Sequence, residues 1–152
     1  MIDDTKTLYI YMTRESFCMG DDVMAPNIER YPFHDTTWFP QKAIFRMVEK
    51  YIGTNLPDLA WRGFVNGERL VDVSFSQHET SFVRTITLVP GWQDLLREGK
   101  SIHFVHRSLG EEDSLPDRIT TGYYTYEEAE ELYKGYESSP KPVPLEGVWS
   151  YA

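Results

Sequence analysis

Histidine side chains can take part in both proton transfer and metal binding. The chain holds four histidines, and His103 and His106 lie three positions apart in a segment that alternates like a strand. The two imidazoles are therefore predicted on opposite faces, where they cannot chelate one ion together. A pair formed by His103 with His34 or His78 across strands would permit a zinc or acid–base site, but an ordinary structural role is the favoured interpretation.

Two adjacent carboxylates, Asp21 and Asp22, lie in a segment whose Gly and Pro content is typical of a turn. Oxygen ligands of this kind attract hard cations, yet the alternating acids and distal glutamate of an EF-hand loop are missing. The pair is kept as a candidate loop site, and no metal or other cofactor is predicted. Cys18 has hydrophobic neighbours on both sides, so a catalytic thiolate is not predicted there.

Acidic and tyrosine side chains are concentrated near the C-terminal end. Residues 111–152 hold ten acids and three bases, whereas residues 1–110 hold fourteen acids and twelve bases. Six of the ten tyrosines lie in the same stretch. Charge asymmetry of this kind is typical of a chain that meets a charged partner. The predicted partner-binding residues are Tyr123, Tyr124, Tyr126, Glu127, Glu130, Tyr133 and Tyr136.

The leading hypothesis is a non-enzymatic interaction module, of immunity or regulatory type, that presents this acidic, tyrosine-rich surface to a basic protein partner. Tyrosine rings give contact area at small entropic cost, and carboxylates orient a cationic partner. The plainest alternative is that the tyrosines pack the C-terminal helix onto the sheet. Two further hypotheses are a small enzyme or ligand-binding domain that uses His and Asp residues at the sheet edge, and a homodimer paired through residues 120–124.

Composition limits the class of protein. A chain of 152 residues with 41% hydrophobic residues can form one globular domain with a substantial core. Its apolar runs are far shorter than the roughly 20 residues that cross a bilayer, and its first residues lack a signal-peptide pattern. No membrane association and a cytoplasmic location are therefore expected. The net charge of −9 opposes phosphate backbones, so nucleic acid is not an expected ligand.

Hydrophobic periodicity predicts the first elements. Alternation from Lys6 to Met12 indicates a strand with one buried face, and a short strand is predicted from Ile28 to Phe33. A helix follows, with Pro40 in its first turn and Gly53 as its C-terminal stop. Its apolar stripe recurs at spacings of three and four and consists of Ile44, Met47, Val48, Tyr51 and Ile52.

A hairpin is centred on Asn66-Gly67. A two-residue loop would pair Val65 with Glu68 and would separate the apolar residues of the two strands onto different faces. A three-residue loop with Gly67 in the left-handed region keeps them on one face, so this bulged form is predicted. The apolar residues concerned are Leu59, Trp61, Val71, Val73 and Phe75.

The remaining elements are short. A strand is predicted over 81–89, a helix over 92–97 closed by Gly99, and a last core strand over 101–107. After a polar connector, residues 119–124 are predicted to add an edge strand. Thr125 to Glu128 fits a capping box that begins a C-terminal helix ending at Gly135. An extended Pro-rich tail follows.

This order of elements predicts an α+β fold in which a mixed sheet is packed by one main helix. It resembles the β-grasp arrangement of ubiquitin-like domains with one additional strand, and a ferredoxin-like α/β sandwich is the alternative. Residues 1–110 are predicted to form the core domain, and residues 111–152 an acidic extension packed on the same domain.

One segment carries a second resemblance. Residues 13–26 contain Thr-Arg-Glu-Ser, then Gly-Asp-Asp, then Ala-Pro, and are similar to a stretch near the start of small uncharacterised bacterial proteins. The resemblance implies a bacterial protein and a loop of defined shape after the first strand. That group has no assigned activity, so no site residue is transferred from it.

Overall fold

The computed structural model describes residues 7–15, 27–34, 39–52, 59–78, 81–108 and 110–138. In chain order its elements are β1 (Thr7–Arg14), β2 (Glu29–His34), α1 (Gln41–Ile52), β3 (Leu59–Val65), β4 (Glu68–His78), β5 (Ser81–Leu88), α2 (Trp92–Gly99), β6 (Ser101–Ser108), one 3-10 turn (Glu112–Ser114) and α3 (Tyr126–Ser138). The fold is mixed α+β, as predicted.

The strands form one six-stranded sheet in the order β2-β1-β6-β3-β4-β5. β1 and β6 are parallel, and every other neighbouring pair is antiparallel. The first and last strands of the chain therefore lie side by side inside the sheet, with β2 and β5 at its two edges.

The core lies between α1 and one face of the sheet, which we call the core face. The helix buries Ile44, Met47, Val48 and Tyr51, which confirms the predicted stripe. Opposite them the strands contribute Ile10, Met12, Trp61, Val71, Val73, Ile102 and Phe104. Each fully buried side chain of this type stabilises the fold by roughly 1.5–3 kcal/mol, so this layer fixes the position of every strand.

On the other face of the sheet, the second face, residues 111–138 cover β1, β6 and β3. Leu115 packs against Ala60, Phe64 and Val105, and α3 packs against β1. As a result β1 is buried on both sides, with Tyr11 at 1% and Thr13 at 0% exposure. The expectation of a single buried face for β1 is wrong, because the C-terminal segment shields the second face from water.

The β3–β4 hairpin differs from the predicted one. Asn66 (φ 50) and Gly67 (φ 85) form a two-residue turn, and Val65 pairs with Glu68. The register shift lies further along, between Gly63 and Phe64. The apolar residues of both strands still lie on the core face. The bulge shifts the register by one residue, which is the effect that the three-residue loop was predicted to have.

Three smaller expectations are also corrected. Residues 119–124 form no strand: the isolated bridge nearby joins Glu68 to Arg118, and Ile119 packs on the second face of the sheet. α3 continues past Gly135 to Ser138, since one glycine costs a packed helix only about 1 kcal/mol. α2 ends with Lys100 in the left-handed conformation (φ 52), and Gly99 is its last helical residue.

Several sequence predictions lie outside the described residues: the Asp21 and Asp22 loop, Cys18, and the Pro-rich tail. None of the helices in the described ranges has the length and apolar character needed to traverse a bilayer.

Candidate functional site

The C-terminal tyrosines occupy two different environments, and the first is a packing layer against the second face. The rings of Tyr126 and Tyr133 lie 5.5 Å and 5.9 Å from the ring of Tyr11. The ring of Tyr124 meets His103 edge-on at 6.0 Å. Edge-to-face pairs at these separations are stabilising, so these tyrosines attach residues 123–138 to the sheet while each keeps part of its surface in solvent.

Arg30 completes the packing layer beside β1. Its guanidinium carbon lies 4.0 Å from the ring centroid of Tyr9 and 4.5 Å from that of Tyr133. The same group approaches Glu137 at 3.9 Å. Arg30 therefore makes cation–π contacts with both rings and joins β2 to α3 within the packing layer.

The second environment is an open cleft of about 320 Å³ at the junction of the β3–β4 turn, α2 and α3. It falls in the range of roughly 300–1,000 Å³ that is usual for ligand pockets. We call it the acidic cleft, and its lining residues are Asn66, Glu98, Gly99, Tyr123, Thr125, Tyr126 and Glu127.

Two glycines bring the walls of the acidic cleft together. The N–H of Ile119 donates to the carbonyl of Gly67 at 2.9 Å, and a Cβ at Gly67 would lie 2.2 Å from the carbonyl oxygen of Ile119. A Cβ at Gly99 would lie 2.0 Å from a methyl carbon of Val65. Only glycine allows the backbone to come this close to its neighbours. The β3–β4 turn and the end of α2 are therefore held at fixed positions beside the acidic cleft.

The third wall is the first turn of α3. The N–H of Thr125 donates to Glu128 at 2.9 Å, and the N–H of Glu128 donates to the Thr125 hydroxyl at 3.3 Å. These reciprocal bonds confirm the predicted capping box. Hydrogen bonding from the Thr125 backbone N–H, followed by the Thr125 side chain, lowers the pKa of Glu128 from its ordinary value. The helix start fixed by the capping box places Glu127 at the mouth of the cleft.

The electrostatics of the acidic cleft favour a cation. Glu98 and Glu127 are exposed, and partial burial, followed by the charge of Glu130, raises the pKa of Tyr126 above its ordinary value of 10.0. The phenol therefore stays neutral near pH 7. The ammonium of Lys100 already lies 5.6 Å from the centroid of the Tyr126 ring. The Tyr126 ring can thus form a cation–π contact, and the nearby carboxylates of Glu98 and Glu127 add electrostatic attraction for a cation.

The histidines do not assemble into one site within the described residues. His103 is buried on the second face, where its Nδ1 lies 2.7 Å from the Thr13 hydroxyl. His106 packs on Trp61 at 4.8 Å, on the core face, so the prediction of opposite faces is confirmed. Burial lowers the pKa of His103, although the charge of Glu15 opposes this. His34 and His78 lie in strands, but their side chains are outside the described part.

In the ranges that the structure describes, no three His, Cys, Asp or Glu side chains are grouped so as to hold a metal ion.

A larger cleft of about 390 Å³ opens between the start of α1 and the start of α2. Its lining includes Gln41, Trp92 and Asp94. The amide of Gln93 in this region accepts from the Phe39 N–H at 3.0 Å and donates to the Phe39 carbonyl. The Gln93 side chain therefore links the residues that precede α1 to α2. Among the described residues that line the larger cleft, Asp94 alone carries a carboxylate.

The structure divides the predicted partner-binding residues. Tyr123 and Glu127 line the acidic cleft, Tyr124 and Tyr133 belong to the packing layer, and Tyr126 takes part in both. Glu130 lies 3.8 Å from Lys134 as an i,i+4 ion pair. Tyr136 belongs to α3, but its side chain is outside the described part.

Four lining residues were not predicted as site residues: Asn66, Glu98, Gly99 and Thr125. Each was assigned only to a local element, namely a turn, a short helix or a helix cap. These residues come close to Tyr123 only because distant parts of the chain are in contact. The close packing at Gly67 and Gly99 makes these contacts possible, and it produces no periodic pattern in the sequence.

Comparison with protein-family models, with curated protein sequences and with solved structures finds no match to this chain. The function proposed below is therefore argued from geometry and charge.

Proposed function

We propose that this chain is a non-enzymatic protein-interaction module whose acidic cleft receives a cationic side chain of a basic protein partner. The observation that carries the proposal is the convergence of two exposed carboxylates, Glu98 and Glu127, with two partly exposed rings, Tyr123 and Tyr126, around one cavity. A role in immunity or regulation, in which the module covers a basic surface of its partner, fits this chemistry.

An arginine of the partner suits the acidic cleft better than a lysine. Its planar guanidinium donates two parallel hydrogen bonds to a carboxylate and stacks on an aromatic ring. A phenol and two carboxylates offer both kinds of contact within one cavity. The surrounding acids add long-range attraction, which raises the association rate and depends on salt.

The scaffold that we propose for this module is β-grasp-like. Support comes from the mixed sheet crossed by α1 on one face and from the parallel, adjacent first and last strands. In this interpretation β5 and α2 are additions to the basic arrangement. The addition of α2 supplies Glu98 to the acidic cleft.

Affinity capture with the purified chain tests the proposed function. The bait is compared with a Glu98→Gln/Glu127→Gln double variant at low and at high salt. We expect a basic protein to be retained by the unmodified bait at low salt. Retention should fall at least tenfold in the double variant and at high salt, because exposed charges are screened beyond about 10 Å at 0.1 M.

The matched control is Glu111→Gln/Asp113→Asn, which removes the same number of charges from exposed positions at the 3-10 turn. It should retain the partner as well as the unmodified bait does. Equal retention by the cleft double variant, or loss in the control variant, would assign binding to general acidity and contradict the cleft.

A further inference from the structure

Lys100 is a cation built into the edge of the acidic cleft. It directly follows Gly99, one of the lining residues, and it caps the C-terminal end of α2 in the left-handed conformation (φ 52). Its N–H donates to the Leu96 carbonyl at 2.8 Å, and its carbonyl accepts from the Tyr11 N–H at 3.0 Å. Because both backbone groups are hydrogen-bonded, the Lys100 side chain starts from a fixed point beside the cleft.

The ammonium of Lys100 lies against a ring of the acidic cleft and not against its carboxylates. Its nitrogen is 5.6 Å from the ring centroid of Tyr126, inside the roughly 6 Å range of cation–π contacts. Within the described part of the chain no ion pair joins Lys100 to a carboxylate, and none involves Glu98 or Glu127. The two carboxylates of the cleft are thus left for a ligand.

A guanidinium that binds between Glu98 and Glu127 reaches the ring that Lys100 already contacts. Tyr126 is only partly exposed, and it also contacts the ring of Tyr11 at 5.5 Å, so little of its surface is open to a second cation. Two cations at one ring repel each other, and the repulsion is strong where protein displaces water. A second cation therefore gains the ring only when the side chain of Lys100 moves away.

We propose that Lys100 is the resident cation of the acidic cleft and that an arginine of the partner displaces it from the Tyr126 ring. This inference rests on the proposed function and adds what sets the affinity of the same site. The resident ammonium lowers the apparent affinity for the partner, because only the fraction of molecules whose ring is unoccupied can bind. Lys100 stays attached at the C-terminal end of α2, where the helix dipole favours a cation, so it returns to the ring when the partner leaves.

Two substitutions of Lys100 separate displacement from a simple effect of charge. Hexaarginine is titrated into each isotope-labelled variant at low salt, and the dissociation constant is obtained from the amide shifts of Glu98, Tyr123 and Glu127. Lys100→Gln should bind roughly two- to fivefold more tightly than the unmodified chain, the range of an exposed cation–π contact. Lys100→Arg should bind more weakly than the unmodified chain, because a guanidinium stacks on an aromatic ring better than an ammonium does.

Both results are required. A charge effect without displacement would leave the affinity of Lys100→Arg equal to that of the unmodified chain, which overturns the proposal. Unchanged affinity in Lys100→Gln overturns it as well. The matched control is Lys134→Gln, which removes one positive charge from α3, where Lys134 lies 3.8 Å from Glu130. A gain in affinity equal to that of Lys100→Gln would assign the effect to net charge and overturn the proposal.

The unmodified chain provides a test that needs no variant. The ring current of Tyr126 should shift the ε-methylene protons of Lys100 upfield in the free chain, and saturation with hexaarginine should return them to the ordinary position of a lysine. If the cleft amides shift while these protons do not, the displacement is wrong and the proposed function stands. If no cleft amide responds to hexaarginine in any variant, both proposals are wrong.

Discussion

His103 is an imidazole that the fold holds in its neutral form. It is buried between the sheet and the C-terminal segment, with its Nδ1 beside the Thr13 hydroxyl. Desolvation lowers its pKa from the ordinary value of 6.5, because a charged ring would lose hydration that the interior does not replace. The pH dependence of folding should report this burial.

The sign follows from proton linkage. The unfolded chain binds a proton at position 103 more readily than the folded chain does, so stability falls as pH drops below about 6.5 and levels off below the folded pKa. We expect the free energy of unfolding, measured by urea titration between pH 7.5 and 5, to fall more in the unmodified protein than in His103→Gln.

The matched variant is His106→Gln, which changes the histidine on the opposite face. The free energy of unfolding of this variant should still fall between pH 7.5 and 5, because His103 is unchanged. Full acid sensitivity in His103→Gln would mean that other groups cause the loss.

At the scale of single residues, the sequence was sufficient where a prediction depended only on the alternation of side chains along a strand. The separation of His103 and His106 needed only a period of two. The contact of His103 with Thr13 was not predicted, because it depends on the parallel pairing of β1 with β6, in which these two residues are register partners. No local pattern encodes which strands become neighbours.

At the scale of elements, two glycines occupy contrasting positions. One is crowded by core side chains, and the other has open space around its Cβ position. A Cβ at Gly63 of β3 would lie 2.7–2.9 Å from side-chain atoms of Val71, Ile102 and Phe104. At Gly135 of α3 it would meet nothing within 4 Å. The first position is restricted by the core, and the second only by the intrinsic helix preference of the residue.

We therefore predict opposite effects of one substitution. Gly63→Ala should destabilise the fold by about 1–3 kcal/mol, the usual range for overpacking. Gly135→Ala should stabilise it by about 0.5–1 kcal/mol, because alanine has less backbone entropy to lose in a helix. Urea unfolding followed by circular dichroism measures both, and a neutral Gly63→Ala would contradict the described packing of β3.

Elements with strong local signals were predictable from the sequence. The stripe of α1 and the capping box at Thr125 were recognised because each is defined by residues a few positions apart. The register shift between Gly63 and Phe64 and the path of residues 119–124 were not predicted, since both depend on contacts with distant parts of the chain.

At the scale of the whole molecule, residues 111–138 of the acidic C-terminal segment form a layer over part of the second face of the sheet. It uses part of its aromatic surface for packing and presents the rest at the acidic cleft. The sequence indicated which segment carries the charge and the rings. It did not indicate that Tyr133 would be occupied by Arg30, because that contact joins a residue of β2 to a residue of α3.

Mapping a cationic probe onto the protein tests the central claim most directly. A hexaarginine peptide is titrated into the isotope-labelled chain at low salt, and amide chemical shifts are followed by NMR, with a hexaglutamate peptide as the control. We predict salt-sensitive shifts concentrated at Asn66, Glu98, Tyr123, Tyr126 and Glu127, and none with hexaglutamate. Shifts spread evenly over the exposed acids of α3 and the connector, with the cleft residues unchanged, would contradict the proposal that the acidic cleft is the binding site.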